Sequence, residues 1–431
     1  MKRILMIMGL CVPAIAANAQ GIGFHPVRNW DQLKKMARKE NKLIFFDIYA
    51  SWCGPCKKMD KEVYADSSVG QYMNERFISI KLQADSNTND IQLLNSDYAF
   101  ASEVTKQFGL DGFPCYYFVD AEGRLLYRSE GFQLPREFLK TAAFAQDATT
   151  NLVGRMQKAN NAQMDKKGLL QLALDLKKAK QQDAALKVIK QYKKRFLDGQ
   201  PPFEILDKDI LPVFGEFSEI FHAKDQLITY IFLNKSLSDS LMDRKGFSTT
   251  LIDFFVNRDY MVPAFFRNGK ASGDIASITD LEKRIAAEFD AKTARKAATQ
   301  AKCSWYELKK DYPRFLEAWF EKVDSFGIDM KDPYGALEIN NTIYEIVLTQ
   351  TNDPVYLKKS IAYMEALLKV DPDSYSRLDT YASILYKNGQ KQKAIEVEKK
   401  ALALAAKMKD DENVKFLNET ILKMEKGEPI W

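Results

Sequence analysis

Histidine is nearly absent from this chain of 431 residues, which has two, and cysteine is scarce, with five. His25 and His222 are not spaced as half of a ligand pair, so a histidine-rich metal centre is not expected. So few cysteines over such a length do not make a disulfide scaffold, and stability must come from apolar cores. The formal charge is only +5 and no basic tract is long enough to point to nucleic acid, so no nucleic-acid partner is expected. After the first 19 residues no apolar run approaches the roughly 20 residues needed to span a bilayer. The length exceeds what one ordinary domain occupies, so more than one is expected.

What is present starts at the N-terminus. Met1-Lys2-Arg3 is followed by an apolar stretch from Ile4 to Ile15, and Ala17-Asn18-Ala19 precedes Gln20. A positive segment, an apolar segment and a small-x-small site make residues 1–19 a cleavable signal peptide, which predicts an exported, periplasmic protein beginning at Gln20. Leu10, not a small residue, precedes Cys11, and the apolar run upstream is short, which argues against a membrane lipoprotein. Cleavage takes Cys11 away and leaves Cys53, Cys56, Cys115 and Cys303.

Residues 52–58 read Trp52-Cys53-Gly54-Pro55-Cys56-Lys57-Lys58. The run Leu43-Ile44-Phe45-Phe46-Asp47-Ile48-Tyr49 before them has the character of a buried strand interrupted by one carboxylate. Strand, turn and helix then place Cys53 at a helix N-terminus, where free N–H groups and the helix dipole favour a thiolate. Cys56, one turn along, is close enough to form a disulfide behind it. Zinc binding and a purely structural disulfide are the competing readings of this spacing; zinc lacks a second pair of ligands.

The segment from Phe46 to Lys57 resembles the active-site segment of thioredoxin. The likeness continues through Phe77-Ile78-Ser79-Ile80-Lys81-Leu82, Phe108 to Pro114 and Tyr116 to Gly123, covering about residues 24–145. With Lys57-Lys58-Met59, Val63-Tyr64 and a short helix around Val69 to Glu75, it is most similar to envelope thioredoxin-like domains such as the C-terminal domain of the bacterial thiol-disulfide interchange reductase. The resemblance implies an α/β thioredoxin fold, a central mixed sheet flanked by helices, over residues 20–147. It implies protein thiol-disulfide exchange with no cofactor beyond a redox-active Cys53–Cys56 disulfide, and no metal.

On this reading Cys53 attacks and Cys56 resolves the mixed disulfide. Gly54 and Pro55 hold the turn without placing an imidazole or charge beside the sulfur, which favours reduction or isomerisation over oxidation. Asp47 matches the family's buried acid and is the expected base for Cys56, with structural pairing to Lys81 as the alternative. Pro114 matches the family's cis proline, leaving Phe113 to contact substrate. Trp52 either covers the sulfur pair or is a packing aromatic. Cys115 stands where the family commonly has threonine, and both it and Cys303 are expected to pack as small apolar residues. Asp85 to Asp90 lacks the glycine and terminal glutamate of a calcium loop and is expected to be a polar surface loop.

After Gln146 helical periodicity takes over. Leu169, Leu172, Ala173 and Leu176 mark one helix face, and Leu186, Ile189, Tyr192 and Phe196 the next, with Gln181-Gln182-Asp183 between them. Residues 148–335 are expected to be helical, with aromatic-rich helices around Phe214 to Leu233 and Leu251 to Val256 and a loop from Asn268 to Gly273. Residues 336–426 resemble tetratricopeptide-like hairpins, carried by Leu378, Tyr381, Ala382, Leu385, Gly389, Ala394 and Ala401 and, one repeat earlier, Tyr344, Val347, Leu348, Ser360 and Leu367. Glu398 departs from that pattern, standing where an aromatic is usual.

Two functions are compatible with this order. One is an exported thiol-disulfide oxidoreductase that acts on protein substrates, draws electrons from an upstream donor such as a membrane thiol transporter, and uses its helical region to dock a protein partner or to cover the active site. The other is a helical protein-binding scaffold with a redox-sensitive head.

Overall fold

The computed structural model describes residues 21–85 and 95–431; the expected signal peptide and residues 86–90 of the polar loop lie outside them. The chain divides into two compact units, one ending at Ile220 and the other beginning at Phe221.

The first unit opens with α1 (Trp30–Glu40), which Asn29 starts by accepting the Gln32 N–H at 3.1 Å and Asn41 ends in the left-handed region at φ 52°. Then come β1 (Leu43–Tyr49), α2 (Gly54–Lys58), α3 (Ser67–Arg76), β2 (Phe77–Gln83), α4 (Asn95–Phe108), β3 (Cys115–Val119), β4 (Leu125–Glu130) and α5 (Pro135–Gln146). The strands form one mixed sheet in the order β2-β1-β3-β4. β1 runs parallel to β2, with Asp47 opposite Lys81, and antiparallel to β3, with Ile48 opposite Cys115.

Successive side chains of a strand point to opposite faces, so the adjacent Phe45 and Phe46 serve two layers. Phe45 packs with Met59, Phe77, Phe118 and Phe138 on one face. Phe46 meets Trp30 edge-on at 5.4 Å on the other, where Phe100 and Phe108 also pack against Trp30. This is the thioredoxin fold expected from the sequence.

Three helices follow, α6 (Leu152–Asn160), α7 (Lys166–Lys178) and α8 (Gln182–Phe196), then the short α9 (Pro202–Ile205) and α10 (Leu211–Glu216). α6 packs against β4, and Arg128 of that strand reaches the Lys178 carbonyl and Asp111, so the sheet's outer strand is covered. The buried residues of α7 are the four expected ones. On α8 the buried face is Ala185, Val188, Ile189 and Tyr192, with Leu186 and Phe196 only half-buried. The small Ala185 lets α7 and α8 approach closely, which turns the helix away from its bulkier neighbours. The turn between them lies at Ala179–Gln181, slightly earlier than expected.

The second unit contains α11 (Gln226–Leu233), α12 (Lys235–Leu241), α13 (Phe247–Val256), α14 (Val262–Phe265), β5 (Phe266–Arg267), β6 (Lys270–Ala271) and α15 (Ile278–Glu288). It continues with α16 (Ala291–Leu308), α17 (Tyr312–Phe326), α18 (Pro333–Asn341), α19 (Leu348–Gln350), α20 (Pro354–Val370), α21 (Tyr375–Lys387), α22 (Lys391–Lys407) and α23 (Asp411–Lys426). The expected loop at Asn268 is a two-residue hairpin instead. Asn268 and Gly269 both have positive φ, the requirement of a tight turn that matches strand twist. From α16 onward each long helix packs on the next, around one core that includes Trp319, Met364, Leu385, Ala401 and Leu417. Among the described residues no helix is long and apolar enough to cross a membrane.

Candidate active site

β1 ends at Tyr49, and the next residues turn into α2 with Cys53 as its N-terminal cap: the Cys53 sulfur accepts the Cys56 N–H at 3.1 Å. Pro55 lies in the first turn, where its missing N–H costs nothing. The turn is tied down by Asp85, whose carboxylate accepts the Ser51 N–H at 2.8 Å and the Ser51 hydroxyl at 2.6 Å. Cys53 and Cys56 form a disulfide. Both are buried, Cys53 at 2% exposure, packed with Ala50, Tyr49 and Phe113. Helix α2 gives way at Met59–Tyr64 to wider π-type turns.

Trp52 is 70% exposed and rests edge-on against Phe113 at a ring separation of 5.7 Å, so these two rings form an apolar rim next to the disulfide. The Phe113–Pro114 bond is cis. The Pro114 carbonyl is held by the Gly131 N–H at 2.8 Å. Gly54 and Pro55 are exposed and bring no ionisable group to the sulfurs.

Asp47 is 1% exposed, in the middle of the sheet. Burial pushes its carboxyl up from 3.8 to about 6, even though the Lys81 ammonium opposes the rise from 3.6 Å. Lys81 also bonds Asp60 and lies among the rings of Tyr49, Phe24 and Tyr64, at 4.9 to 5.7 Å. Its charge is thus shared, and desolvation wins at Asp47. One carboxylate oxygen of Asp47 has no hydrogen-bond partner and remains open to a proton. Desolvation also raises the Tyr64 phenol, with the Asp47 charge adding to it.

Three contributors escaped the sequence reading. Asp60 lies four residues after Cys56, a spacing that could have flagged it as a neighbour on a continuous helix face. Asp85 falls in the expected surface loop, and its tie to Ser51 has no sequence signal. Tyr64 belongs to the family-like pattern Val63-Tyr64, which does not mark it as a neighbour of the acid. Cys115 is buried in β3 and burial pushes its thiol up to about 11; Cys303 is likewise pushed to about 12. Both are held as neutral thiols, poor nucleophiles. Among the described residues no three His, Cys, Asp or Glu side chains are grouped to hold a metal ion.

A disulfide of this kind, capped on a helix N-terminus with an acid of raised pKa in the adjoining strand, can accept a thiolate and release another, exchanging two electrons. Comparison with known proteins agrees in fold. A family model described as a thioredoxin-like domain matches residues 30–146. The thiol:disulfide interchange protein DsbD of Yersinia pestis (strain Pestoides F) is 31% identical over 122 residues, which is 28% of this chain and 19% of that protein. Thioredoxin-T of Drosophila melanogaster is 28% identical over 96 residues, 22% of this chain and 50% of that one. A solution structure of a candidate disulphide-isomerase from Bacteroides thetaiotaomicron shares 30% identity, with 30% of this chain and 96% of that one covered and a TM-score of 0.25. The chain spans about a fifth of the length of the first curated relatives it matches. Residues 30–146 thus form a thioredoxin-like domain within the longer chain.

Proposed function

We propose that the protein is an exported thiol-disulfide oxidoreductase that reduces or isomerises disulfides in other proteins. The observation that supports this most is the Cys53–Cys56 disulfide at the start of α2, with Asp47 buried and raised in pKa six residues upstream. In the reduced protein the Cys53 thiolate attacks a substrate disulfide. That S–S bond breaks, one substrate sulfur leaves as a thiolate and takes up a proton, and a mixed disulfide forms. Asp47 takes the Cys56 proton, Cys56 attacks the Cys53 sulfur, and the second substrate sulfur leaves. Two electrons pass to the substrate and the Cys53–Cys56 bond re-forms. A dithiol donor upstream, such as a membrane thiol transporter, returns the electrons by the reverse exchange.

Trp52, Phe113 and Pro114 are the proposed substrate platform, with Gly54 and Pro55 keeping the sulfur environment uncharged and Lys81 holding Asp47. Relatives named as interchange proteins support the chemistry, and the Gly54-Pro55 pair supports the reducing direction. The proposed organisation is a signal peptide at 1–19, the redox domain at 20–147, helices at 148–335 and tetratricopeptide-like hairpins at 336–426 that bind a protein partner.

Insulin-disulfide reduction by the wild type, Cys53→Ser and Cys56→Ser tests the reading. Cys53→Ser should be inactive, and Cys56→Ser should accumulate a mixed disulfide with substrate. Equal turnover in all three would refute it. Thiol trapping in cells tests the direction, since a reductase keeps the pair mostly reduced.

A further inference from the structure

The core of the second unit contains a pair of acids that the thiol chemistry does not use. Asp379 of α21 is 8% exposed and Glu398 of α22 is 0% exposed, and they face each other where these helices pack. Apart from each other, one oxygen of Asp379 and both of Glu398 have no hydrogen-bond partner. An ionised carboxylate has only acceptors, so two buried together must share a proton or be met by a donor from elsewhere. Burying such groups without compensation costs several kcal/mol, roughly.

An opening exists beside them. Asp379 lines a cavity of about 370 Å³ between α18, α21 and α23. Asn340, 9% exposed, lines the same cavity; its amide NH₂ is engaged by Asn341 at 3.2 Å, which leaves its carbonyl oxygen unpartnered. Glu412 adds a second carboxyl to the lining, and no lysine or arginine lines the space. Tyr344 and Phe416, both partly exposed, give it apolar walls, and Leu337, one turn before Asn341 in α18, is exposed. The cavity thus holds carboxyls, has only neutral hydroxyl and amide donors and no cation to meet them, and is bordered by apolar surface.

We propose that this cavity is a binding site for a cationic side chain, a lysine ammonium or arginine guanidinium, presented by a partner polypeptide with apolar residues on either side. The cation supplies the donors that Asp379 and Asn340 lack, and Tyr344, Phe416 and Leu337 take the flanking apolar groups. When the site is empty the acid pair holds a proton; an entering cation displaces it, one charge for one charge. The titratable group facing the pair is Tyr344 from residues 342–347, and Glu412 of α23 lines the cavity; Glu365 of α20 is occupied by Tyr381 and Lys393. This site is independent of the Cys53–Cys56 chemistry.

The test uses the full chain and fluorescein-labelled hexapeptides carrying one lysine between leucine and phenylalanine, or acetyl-lysine in its place. Charged hydrogen bonds of this kind predict at least about tenfold weaker binding of the acetylated peptide, and the same loss for the lysine peptide on Asp379→Asn and Glu398→Gln. Asp373→Asn, an exposed acid outside the cavity, should bind as wild type, and so should Cys53→Ser, whatever its reductase activity. Calorimetry in two buffers of different ionisation heat should show proton release on binding. Thermal melts establish that both cavity variants are folded. Equal binding of the two peptides, no binding of either up to about 1 mM, or full affinity in both folded cavity variants would overturn the proposal.

Discussion

Replacing Asp47 by asparagine separates two consequences of burying an acid six residues before a reactive disulfide. In the unfolded chain its carboxyl titrates at the ordinary 3.8, and in the folded protein at about 6. Between these values the folded state keeps a proton that the unfolded state releases, so stability is full below about pH 4 and falls as pH rises towards about 6. At 1.36 kcal/mol per pK unit the charged Asp47 costs roughly 3 kcal/mol at neutral pH. An asparagine side chain in its place has no charge to desolvate. Asp47→Asn should therefore leave stability near that of the wild type at about pH 4 and raise it by up to roughly 3 kcal/mol at about pH 7. Lys81 keeps Asp60 as a partner, so little of this gain is lost to a stranded cation. Hydrogen exchange of β1 and β3 peptides in the oxidised full chain reads the opening energy of this sheet apart from the second unit. The same variant should slow resolution of the mixed disulfide about 100-fold, because no base receives the Cys56 proton. A stability gap equal at both pH values, or one that widens in acid, would refute the electrostatic reasoning; unchanged resolution would refute the catalytic role.

Lys81→Met removes the cation that opposes burial, so the Asp47 carboxyl should titrate above its wild-type value of about 6; an isotope-edited carboxyl NMR titration that finds it unchanged or lower would show that Lys81 does not act on it. Trp52→Ala should change stability by less than about 0.5 kcal/mol, since the ring is 70% exposed, yet raise KM for a protein disulfide while sparing glutathione disulfide. Equal effects on both substrates would remove Trp52 from the substrate platform. Gly154→Ala lies in a helix, where alanine ordinarily gains up to about 1 kcal/mol. Here an added Cβ would meet the Ala148 carbonyl at 1.7 Å, so the melting temperature should fall, and a rise would mean that the segment before α6 yields freely.

The sheet and the cysteine turn were legible because their signals are local. The five consecutive buried residues of β1 are apolar but for Asp47, a pattern that needs no partner to be recognised, and Cys53 to Cys56 span a single turn. Asp85 was not legible as a site residue, because it reaches Ser51 through the fold and not through spacing, and the spacing of Asp60 from Cys56 does not reveal its bond to Lys81. The helices expected around Phe214 to Leu233 and Leu251 to Val256 are present, but as the short pieces α10, α11 and α13, whose bounds the sequence does not mark. On α8 the periodicity was right but the face was one residue off, because Ala185 carries the packing there and reads weakly as an apolar signal.

Glu398 shows the opposite case, where a misfit in the pattern is itself informative. A repeat-like helix pair specifies small or aromatic residues where helices meet, and a glutamate there breaks the local rule. The structure does not relieve the break by turning the side chain outward: Glu398 is fully buried and adjoins a second acid. Nothing in packing favours that arrangement, since an apolar residue of similar size would fill the site without the desolvation cost. A sequence that retains two such acids next to an acceptor-lined cavity is consistent at every other level of α21 and α22, where Leu378, Ala382, Leu385, Ala394 and Ala401 are all buried as their spacing requires. Departures of this kind concentrate where a protein meets a ligand, and they give the helical region a binding chemistry separate from the dithiol of the first unit.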